Sequence, residues 1–573
     1  MHLLGRFLNS PLARHPNLLA RKVGTRVGLY REDTPVVPAP PATVRYPQHW
    51  EQPLLEWVRE IPLNPGPHKF DHVFGHDFDE ALLLKLCREG PNRGATGLLA
   101  DIKLPWEYSR GQPLFTNAAL GPGQAEYCGA FLNRWLESNG DTNGLNWTCA
   151  MEVAIRAVNW IFADILFRGA LSRHVGPEKW AAWLWRHGQV IWRRLEARLV
   201  SSNHYLADLL GLFIIASVLP EDRSAERWRQ FALSEFPRAL LAQTYRDGAL
   251  NEAALRYHAY VTEMALLFRL AQGSAFPEKA EARLHDMCRI VADFQDCTGD
   301  VFSFGDDDSG RVLALDSVSP LGRREILLRL ARLIFKRKFE PAECAVYPEA
   351  GWCVRTIGDF RLALDFGGVG LCGMGAHAHN DDFSFCLDWR GHPVIVDPGT
   401  YLYTGDPEAR NRFRSTLAHN TVTADGNEQR PLDSALFQLR GQVRSHPLRA
   451  EEDRWTLSRE LNVDVVHVRE IRSADGAIII RDSLACRTPR TLEWRFTLHP
   501  DVFATKTSKG FALSLPNGSK LNLEADSALE GIELELAAAE YSASYGHRTP
   551  TQRCLARTSA KDFEIRWRIS ASN

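Results

Sequence analysis

The chain has 573 residues, 45% of them hydrophobic and 24% charged, with 68 Lys and Arg against 70 Asp and Glu. This length exceeds what one hydrophobic core supports and indicates two or three domains of an ordinary globular protein. The net charge of −2 provides no overall basic surface, so we expect no nucleic-acid partner. The eleven Cys residues have no paired spacing, which argues against a disulfide framework or a zinc finger.

Residues 1–49 are predicted to form an N-terminal extension and a Pro-rich linker. The first 31 residues are basic, are interrupted by two prolines, and lack the apolar segment of a secretory signal. The longest apolar run, from 206 to 219, contains Asp208 and is too short for a transmembrane segment. These features favour a cytoplasmic location, with the periplasm as the alternative. The sequence indicates no oligomeric state.

Residues 50–340 have the pattern of a helical domain. Apolar residues recur at three- and four-residue spacing in segments of similar length that are separated by short turns. These segments are Met151–Leu166, Glu178–Val200, Asn203–Val218, Ser224–Tyr245, Glu252–Gln272 and Pro277–Phe294. Such a series predicts paired antiparallel helices in a solenoid or a toroid.

Residues 345–573 change to the alternating pattern of β-strands, for example in Phe360–Phe366 and Leu492–Leu498. Asp475-Gly476 and Asn517-Gly518 each separate two such runs, as the turns of β-hairpins do. We therefore predict an antiparallel β-sandwich here. The fold class is multidomain α+β, with a helical domain followed by the sandwich.

A group of polar residues lies among the short apolar runs of the second half. It contains His377, His379, Asp397 and His419, and Asn203-His204 forms another polar group within the helical half. Buried side chains of these types need hydrogen-bond partners, a metal or a catalytic role to offset their desolvation. The pattern indicates an enzyme site.

Several motifs together resemble the heparinase II/III-like polysaccharide lyases, which are related to alginate and oligoalginate lyases. The resemblance covers roughly residues 95–430. In chain order, its motifs are Asp101-Ile102-Lys103, Trp106-Glu107, Arg110, Asn146-Trp147, Met151 to Arg156, Asn159-Trp160, Asn203-His204, Glu252 to His258, and the stretch from His377 to His419. One departure is Ala254, which stands where relatives often have Ser. The resemblance implies an (α/α) toroid, a β-sandwich, and β-elimination on a polysaccharide that contains uronic acid.

This chemistry requires removal of the C5 proton, stabilisation of the enolate and protonation of the departing O4. Asn203 is the candidate that neutralises the uronate carboxylate, and His204 shares that role or positions the sugar. Tyr257 is the candidate acid and, in a syn-elimination, also the base. Its separation of 54 residues from Asn203 matches the interval that the resemblance implies. Tyr260 is the alternative phenol. His377 is the base candidate for a C5 proton on the opposite face.

Two further sets of residues complete the predicted site. His379, Asp397 and His419 are predicted ligands of a divalent metal, with zinc favoured over calcium or no metal, and the resemblance implies that this metal is structural. The predicted substrate-binding residues are Arg110, Trp147, Arg156, Tyr260 and Arg414. For Arg156, an ion pair with Glu152 one helical turn away is the simpler interpretation. Asp306-Asp307-Asp308 could suggest a cation loop, but a solvated turn between the domains is the preferred interpretation.

Each residue also has an ordinary structural explanation. Asn203 alone is more often a helix N-cap, His204 a surface residue, and Tyr257 a packing residue. The alternative functions are a glycoside hydrolase on an (α/α) toroid, which requires an opposed carboxylate pair, and a non-catalytic polysaccharide-binding protein in exopolysaccharide production. As a set, the residues favour a lyase whose partner is an acidic polysaccharide or oligosaccharide.

Overall fold

The computed structural model describes residues 41, 43–64, 66–92, 94–432, 435–462, 464–525 and 531–572. The predicted N-terminal extension and linker lies mostly outside these residues. The chain forms two compact units. The first contains the described residues up to Thr244 together with Tyr260–Cys288 and Arg311–Lys338. The second contains Tyr245–Ala259, Arg289–Gly310 and the described residues from Phe339 onward.

Helices dominate the chain as far as Phe335. Within the described residues the α-helices are α1 Gln48–Arg59, α2 Glu80–Glu89, α3 Lys103–Arg110, α4 Gln112–Leu120, α5 Ala125–Ser138, α6 Ala150–Leu166, α7 Ala170–Val175, α8 Pro177–Arg194, α9 Asn203–Val218, α10 Arg223–Gln243, α11 Leu255–Gln272, α12 Glu278–Asp293, α13 Arg323–Phe335 and α14 Pro407–Phe413. Short 3-10 helices occupy Leu98–Ala100, Pro122–Gln124, Leu145–Trp147, Leu315–Val318, Leu371–Gly373 and Thr416–Ala418. No helix in the described part of the chain is both long and apolar enough to cross a bilayer.

The six helical segments predicted from apolar spacing are confirmed as α6 and α8 to α12, with ends displaced by a few residues. Helix α9 is buried over nearly its whole length, which explains why its sequence is almost continuously apolar. Helix α10 begins after Asp222, whose carboxylate accepts a hydrogen bond from the amide of Ala225 at 2.8 Å. Such a cap satisfies a backbone donor that the helix itself leaves without a partner.

Buried tryptophans account for much of the core of the first unit. Trp135, Trp147, Trp160 and Trp180 are each at most 1% exposed. Trp160 stacks on Trp180 with ring centroids 5.6 Å apart, and the Trp135 ring meets Trp160 edge to face at 5.4 Å. The high Trp content therefore reflects helix packing in this unit.

The strands of the described residues form three antiparallel sheets. The two-stranded sheet contains β1 His72–Val73 and β2 His76–Asp77, and the five-stranded sheet has the order β3 Cys344–Tyr347, β4 Trp352–Ile357, β5 Phe360–Asp365, β6 Phe385–Trp389 and β7 His392–Ile395. The large sheet contains β8 Val422–Ala424, β9 Leu448–Ala450, β10 Arg454–Asn462, β11 Val465–Ala474, β12 Ala477–Thr497, β13 Phe503–Lys506, β14 Gly510–Ser514, β15 Lys520–Ala525, β16 Glu533–Tyr541 and β17 Thr549–Ala571. Its order is β13-β14-β15-β17-β12-β11-β10-β9, with β16 paired to β17 and β8 to β12.

Both predicted hairpin turns are confirmed. Asp475 and Gly476 connect β11 to β12 with φ angles of 50° and 71°, which match a two-residue turn of the type that Asp-Gly favours. Asn517-Gly518 lies between β14 and β15. The five-stranded and large sheets contribute residues such as Phe385 and Trp494 to one hydrophobic cluster. The chain is thus a mixed α+β protein with a helical first part and antiparallel sheets after it.

Candidate active site

The second unit brings two of the predicted catalytic residues into direct contact. The Tyr257 and His377 rings stack with centroids 4.0 Å apart and planes inclined by 24°. Both side chains are more than nine-tenths buried. The Tyr257 hydroxyl lies 3.0 Å from the hydroxyl of Tyr403, a residue that the sequence analysis did not identify. A phenol and an imidazole in contact provide two groups that can exchange protons with one substrate.

Asp306 lies at the centre of this site and is fully buried. Its Oδ2 is 3.0 Å from His377 Nδ1, and its Oδ1 is 2.8 Å from His379 Nε2. Arg410 donates to both carboxylate oxygens, with Nη2 at 2.8 Å from Oδ2. This carboxylate therefore fixes the orientation of the His377 ring. The second ring nitrogen of His377 lies 3.4 Å from a carboxylate oxygen of Glu252.

The interpretation of Asp306-Asp307-Asp308 as a solvated turn is wrong, because Asp306 and Asp308 are buried. Gly305 explains how the segment reaches this position. Its φ is +64°, and an added Cβ would lie 2.4 Å from the carbonyl oxygen of Ala253 and 2.7 Å from that of His377. A side chain at Gly305 would separate these backbones, so glycine is required for Asp306 to reach the His377 backbone, where its amide donates at 2.9 Å.

The charges around Tyr257 favour its neutral form. Burial raises the pKa of Tyr257 well above its usual value, and the carboxylates of Asp308 and Asp306 raise it further. Burial alone would also raise the pKa of Asp306, but Arg410 and the two imidazoles hold that pKa well below its ordinary value. The site therefore combines a protonated phenol with an ionised carboxylate. A protonated phenol is suited to donate a proton to a leaving oxygen.

The predicted metal ligands lie together in the second unit. His379, Asp397 and His419 are buried, and each offers a ligand atom within 4.8 Å of the others. His419 Nδ1 is 3.0 Å from Asp397 Oδ2. The opposite nitrogens, His379 Nδ1 and His419 Nε2, are buried without a hydrogen-bond partner among the described residues. Two imidazole nitrogens left without partners beside a carboxylate fit the donor set of a divalent metal such as zinc.

A second group of metal-ligand type lies in the first unit and contains Cys149, Glu196 and His204. His204 Nδ1 is 3.0 Å from both Glu196 oxygens, and the Cys149 thiol donates to Glu196 at 3.5 Å. Hydrogen bonds among the three side chains account for their arrangement without a metal. Asn203 is the first residue of α9 and precedes His204 in the sequence, and its side chain is fully buried. The ordinary interpretation of Asn203 as a helix N-cap is wrong, because the N-cap is Ser202.

Arg110, predicted to bind substrate, is fully buried in a network of the first unit. Its Nε and Nη2 donate to Glu152 at 2.7 and 2.9 Å, and Nη1 lies 2.8 Å from Glu107. Glu152 is thus the bidentate partner of Arg110 and not of Arg156, contrary to the expected pair within the helix. Arg156 instead donates to His187 at 3.0 Å, and burial lowers its pKa to about 9.

The two predicted aromatic contacts, Trp147 and Tyr260, are also buried in the first unit. Trp147 donates to the carbonyl oxygen of Asn139 at 3.0 Å and stacks on Trp183. The Tyr260 ring lies 5.9 Å from the Arg323 guanidinium. Burial of these residues favours a packing role over direct contact with a sugar.

Arg414 is fully buried in the second unit, where it binds the backbone of a nearby loop. It donates to the carbonyl oxygens of Ala435, Leu436 and Gln438 at 3.1 to 3.2 Å and to the Asn411 side chain at 2.8 Å. These hydrogen bonds indicate that Arg414 stabilises the conformation of the loop around residues 435–438.

Comparison with known proteins identifies both halves of the chain. The model of the heparinase II/III N-terminus matches residues 129–308, and the model of the heparinase II/III-like C-terminal domain matches residues 340–570. A heparin-sulfate lyase from Bacteroides stercoris is 24% identical in an alignment of 269 residues that covers 42% of this chain. The match spans 38% of that enzyme, well under half of its length.

Solved structures resemble the chain over nearly its whole length. A crystal structure of heparinase III has a TM-score of 0.66 at 14% identity and covers 98% of this chain and 93% of its own. A heparan sulfate lyase from Pedobacter heparinus has a TM-score of 0.55 at 16% identity, with coverage of 99% and 93%. At these identities the likeness establishes the fold. Together with the two family models, it shows that the chain belongs to the heparinase II/III-like family.

Proposed function

We propose that the protein is a polysaccharide lyase that cleaves an acidic polysaccharide containing uronic acid by β-elimination. The observation that carries the proposal is the stacked Tyr257–His377 pair, whose imidazole is oriented by the buried Asp306. Membership of the heparinase II/III-like family and the names of the related lyases support it.

In the proposed reaction, a base removes the C5 proton of the uronate and the C4–O4 bond breaks. The electron pair of that bond leaves with O4, which takes a proton from the acid, and a C4=C5 double bond remains. Tyr257 is the proposed acid because its phenol is protonated at neutral pH and can give its proton to the departing alkoxide. His377 is the proposed base for a proton on the face opposite O4. A syn-elimination would require Tyr257 to act as both base and acid.

Asn203 and His204 are proposed to neutralise the uronate carboxylate, so that the C5 proton becomes acidic enough to remove. An amide can donate to the carboxylate without a change of ionisation. Glu196 supports this role for His204, because its carboxylate holds the Nδ1 side of the ring and thereby sets the direction of Nε2.

The proposed architecture is an (α/α) toroid over residues 50–340 and an antiparallel β-sandwich over 345–573, preceded by the extension of residues 1–49. The series of helices as far as Phe335 and the hydrophobic cluster shared by two sheets support this division. We also propose that His379, Asp397 and His419 hold a structural zinc ion, which would cross-link the segment after His377 to the sheets. The buried His379 Nδ1 and His419 Nε2, which have no hydrogen-bond partner within the described part of the chain, support this proposal.

The test is incubation with heparan sulfate, alginate and hyaluronan while the ultraviolet absorbance of the conjugated double bond is recorded. A lyase produces this absorbance with each cleavage, whereas a glycoside hydrolase releases reducing ends without it. A non-catalytic protein of exopolysaccharide production gives neither signal. Heparan sulfate comes first because one of the relatives is named a heparan sulfate lyase and another a heparin-sulfate lyase. Reducing ends without absorbance would overturn the proposal.

A further inference from the structure

Phe437 is one of the few large hydrophobic residues that the described part of the chain exposes, with 39% of its surface accessible. Isolated exposed apolar residues are normal and need no explanation. Phe437, however, touches the candidate active site. Its ring centroid lies 5.0 Å from that of Tyr403 and 6.4 Å from that of His377, both in edge-to-face geometry.

The backbone around Phe437 is fixed by a buried cation. Arg414 donates to the carbonyl oxygens of Ala435 and Leu436 before Phe437 and of Gln438 after it. Burying a guanidinium is costly unless its N–H groups have hydrogen-bond acceptors. Because the loop supplies three of these acceptors, it has little freedom to leave this position. Phe437 is therefore an exposed side chain on a loop whose backbone is held by Arg414.

The same loop is tied to the segment that leads to His377. The amide of Leu439 donates to the carbonyl oxygen of Met374 at 2.8 Å. At Gly375 an added Cβ would lie only 2.2 Å from the carbonyl oxygen of Leu439, so the two backbones approach more closely than any side chain permits. The position of Phe437 relative to His377 is thus set by backbone packing.

The remaining contact of the ring is with Arg410, whose guanidinium lies 5.9 Å from the ring centroid. This is the cation that also binds Asp306. A flat apolar ring, held beside an acid and a base, matches the apolar C–H face of a pyranose ring, as aromatic side chains in ligand sites do.

We propose that Phe437 forms an aromatic subsite for a sugar ring next to the Tyr257–His377 pair, and that Arg414 is its positioning residue. This inference rests on the proposed lyase function, because the ligand is a ring of the polymer that is cleaved. It gives Arg414 an indirect part in substrate binding, through the loop that it supports.

The test compares Phe437→Ala, Phe437→Tyr and Phe503→Ala on the first of heparan sulfate, alginate and hyaluronan that the wild type cleaves. Phe503 on β13 is the matched control, since it is 62% exposed on an edge strand of the large sheet. Phe437→Ala is expected to raise KM about tenfold and to change kcat less than about threefold, because binding common to ground and transition states is lost. Phe437→Tyr keeps the ring and is expected to recover most of the affinity that Phe437→Ala loses, whereas Phe503→Ala is expected to stay within about twofold of the wild type.

Arg414→Lys tests the positioning role, because lysine keeps the charge but not the forked donors. It should raise KM in the same direction, and in the double variant with Phe437→Ala the two effects should not add. If Arg414→Lys does not fold, the comparison of Phe437→Ala with Phe437→Tyr still tests the aromatic subsite. An unchanged KM for Phe437→Ala with an active wild type overturns the subsite alone, and additive effects overturn the role of Arg414. A wild type that forms no double bond on any of the three polymers overturns the lyase function together with the subsite.

Discussion

Replacement of Tyr257 by Phe removes one oxygen atom and should abolish most of the activity. The phenyl ring can keep the 4.0 Å stack on His377, so the packing of the site is retained. The Tyr403 hydroxyl loses its contact at 3.0 Å with Tyr257, and the loss of such a buried hydrogen bond costs at most about 1–3 kcal/mol of stability. Loss of a general acid lowers kcat by about 10²–10⁴-fold, so the catalytic effect should far exceed the structural one.

The assay is the initial rate of double-bond absorbance at saturating polymer, accompanied by thermal unfolding of each variant. Tyr403→Phe is the matched control, because it breaks the same hydroxyl–hydroxyl contact and leaves the Tyr257 phenol in place. We expect Tyr403→Phe to reduce kcat less than about tenfold. If Tyr257→Phe retains more than about a tenth of the wild-type kcat, or if both variants lose activity equally, Tyr257 is not the acid.

Three further predictions concern the metal ligands, the acid stability and the orientation of His204. Chelation, or His419→Ala, should lower the unfolding temperature, and added zinc should restore it only in the chelated wild type; equal unfolding temperatures before and after chelation would exclude a bound structural metal. Burial alone would raise the pKa of Asp482, but Arg469 and a neighbouring histidine hold this pKa well below the ordinary value of about 3.9. The ionised carboxylate therefore stabilises the folded protein above about pH 4, and this stabilisation is lost as the pH falls. Asp482→Asn should therefore cost about 3–5 kcal/mol at neutral pH and flatten the loss of stability below about pH 4, measured by denaturant unfolding; an unchanged slope with pH would contradict this assignment. Glu196→Gln should lower kcat by about tenfold without unfolding the protein, because His204 loses the carboxylate that orients it; an unchanged kcat would place that pair outside the mechanism.

The helices and hairpins were predictable because their signals are local. Helix α9, Asn203–Val218, was delimited at both ends, since the apolar run and the turns around it are contained in one short stretch of sequence. The turn at Asp475-Gly476 was equally predictable from the sequence, because only a few residue pairs adopt its positive φ angles readily. The pairing of distant strands such as β12 with β17 has no comparable local signal.

The substrate-binding arginines illustrate where sequence reasoning fails. A charged side chain is expected at the surface, and its burial depends on partners far along the chain. Arg110 is 42 residues from Glu152, and Arg156 is 31 residues from His187. The spacing along the helix made an Arg156–Glu152 ion pair plausible. In the structure, however, Arg110 forms a bidentate pair with the Glu152 carboxylate.

Tyr403 and Phe437 were missed for a related reason. Phe437 belongs to no periodic pattern or motif, and Tyr403 lies within the long stretch from His377 to His419 without a feature that distinguishes it there. Each gains its significance only from the residue that it contacts, Tyr257 in one case and His377 in the other. A usable signal did exist for this part of the chain. Gly375, two residues before His377, is the type of residue that permits close backbone approach, and it indicates that another segment packs against this one.

Asp306 shows why a run of acidic residues should not be assigned to the surface from its composition. Burying a carboxylate is unfavourable by itself, yet here Arg410 donates two hydrogen bonds to it and two imidazoles approach its two oxygens. The result is a single ionised group that contacts the proposed base, His377, through one oxygen and the proposed metal ligand, His379, through the other. Since His377 and His379 are two residues apart, a shift of either ring must be accommodated at Asp306. The proposed metal would therefore contribute to catalysis through this carboxylate, by holding the base in place, without having to contact the sugar.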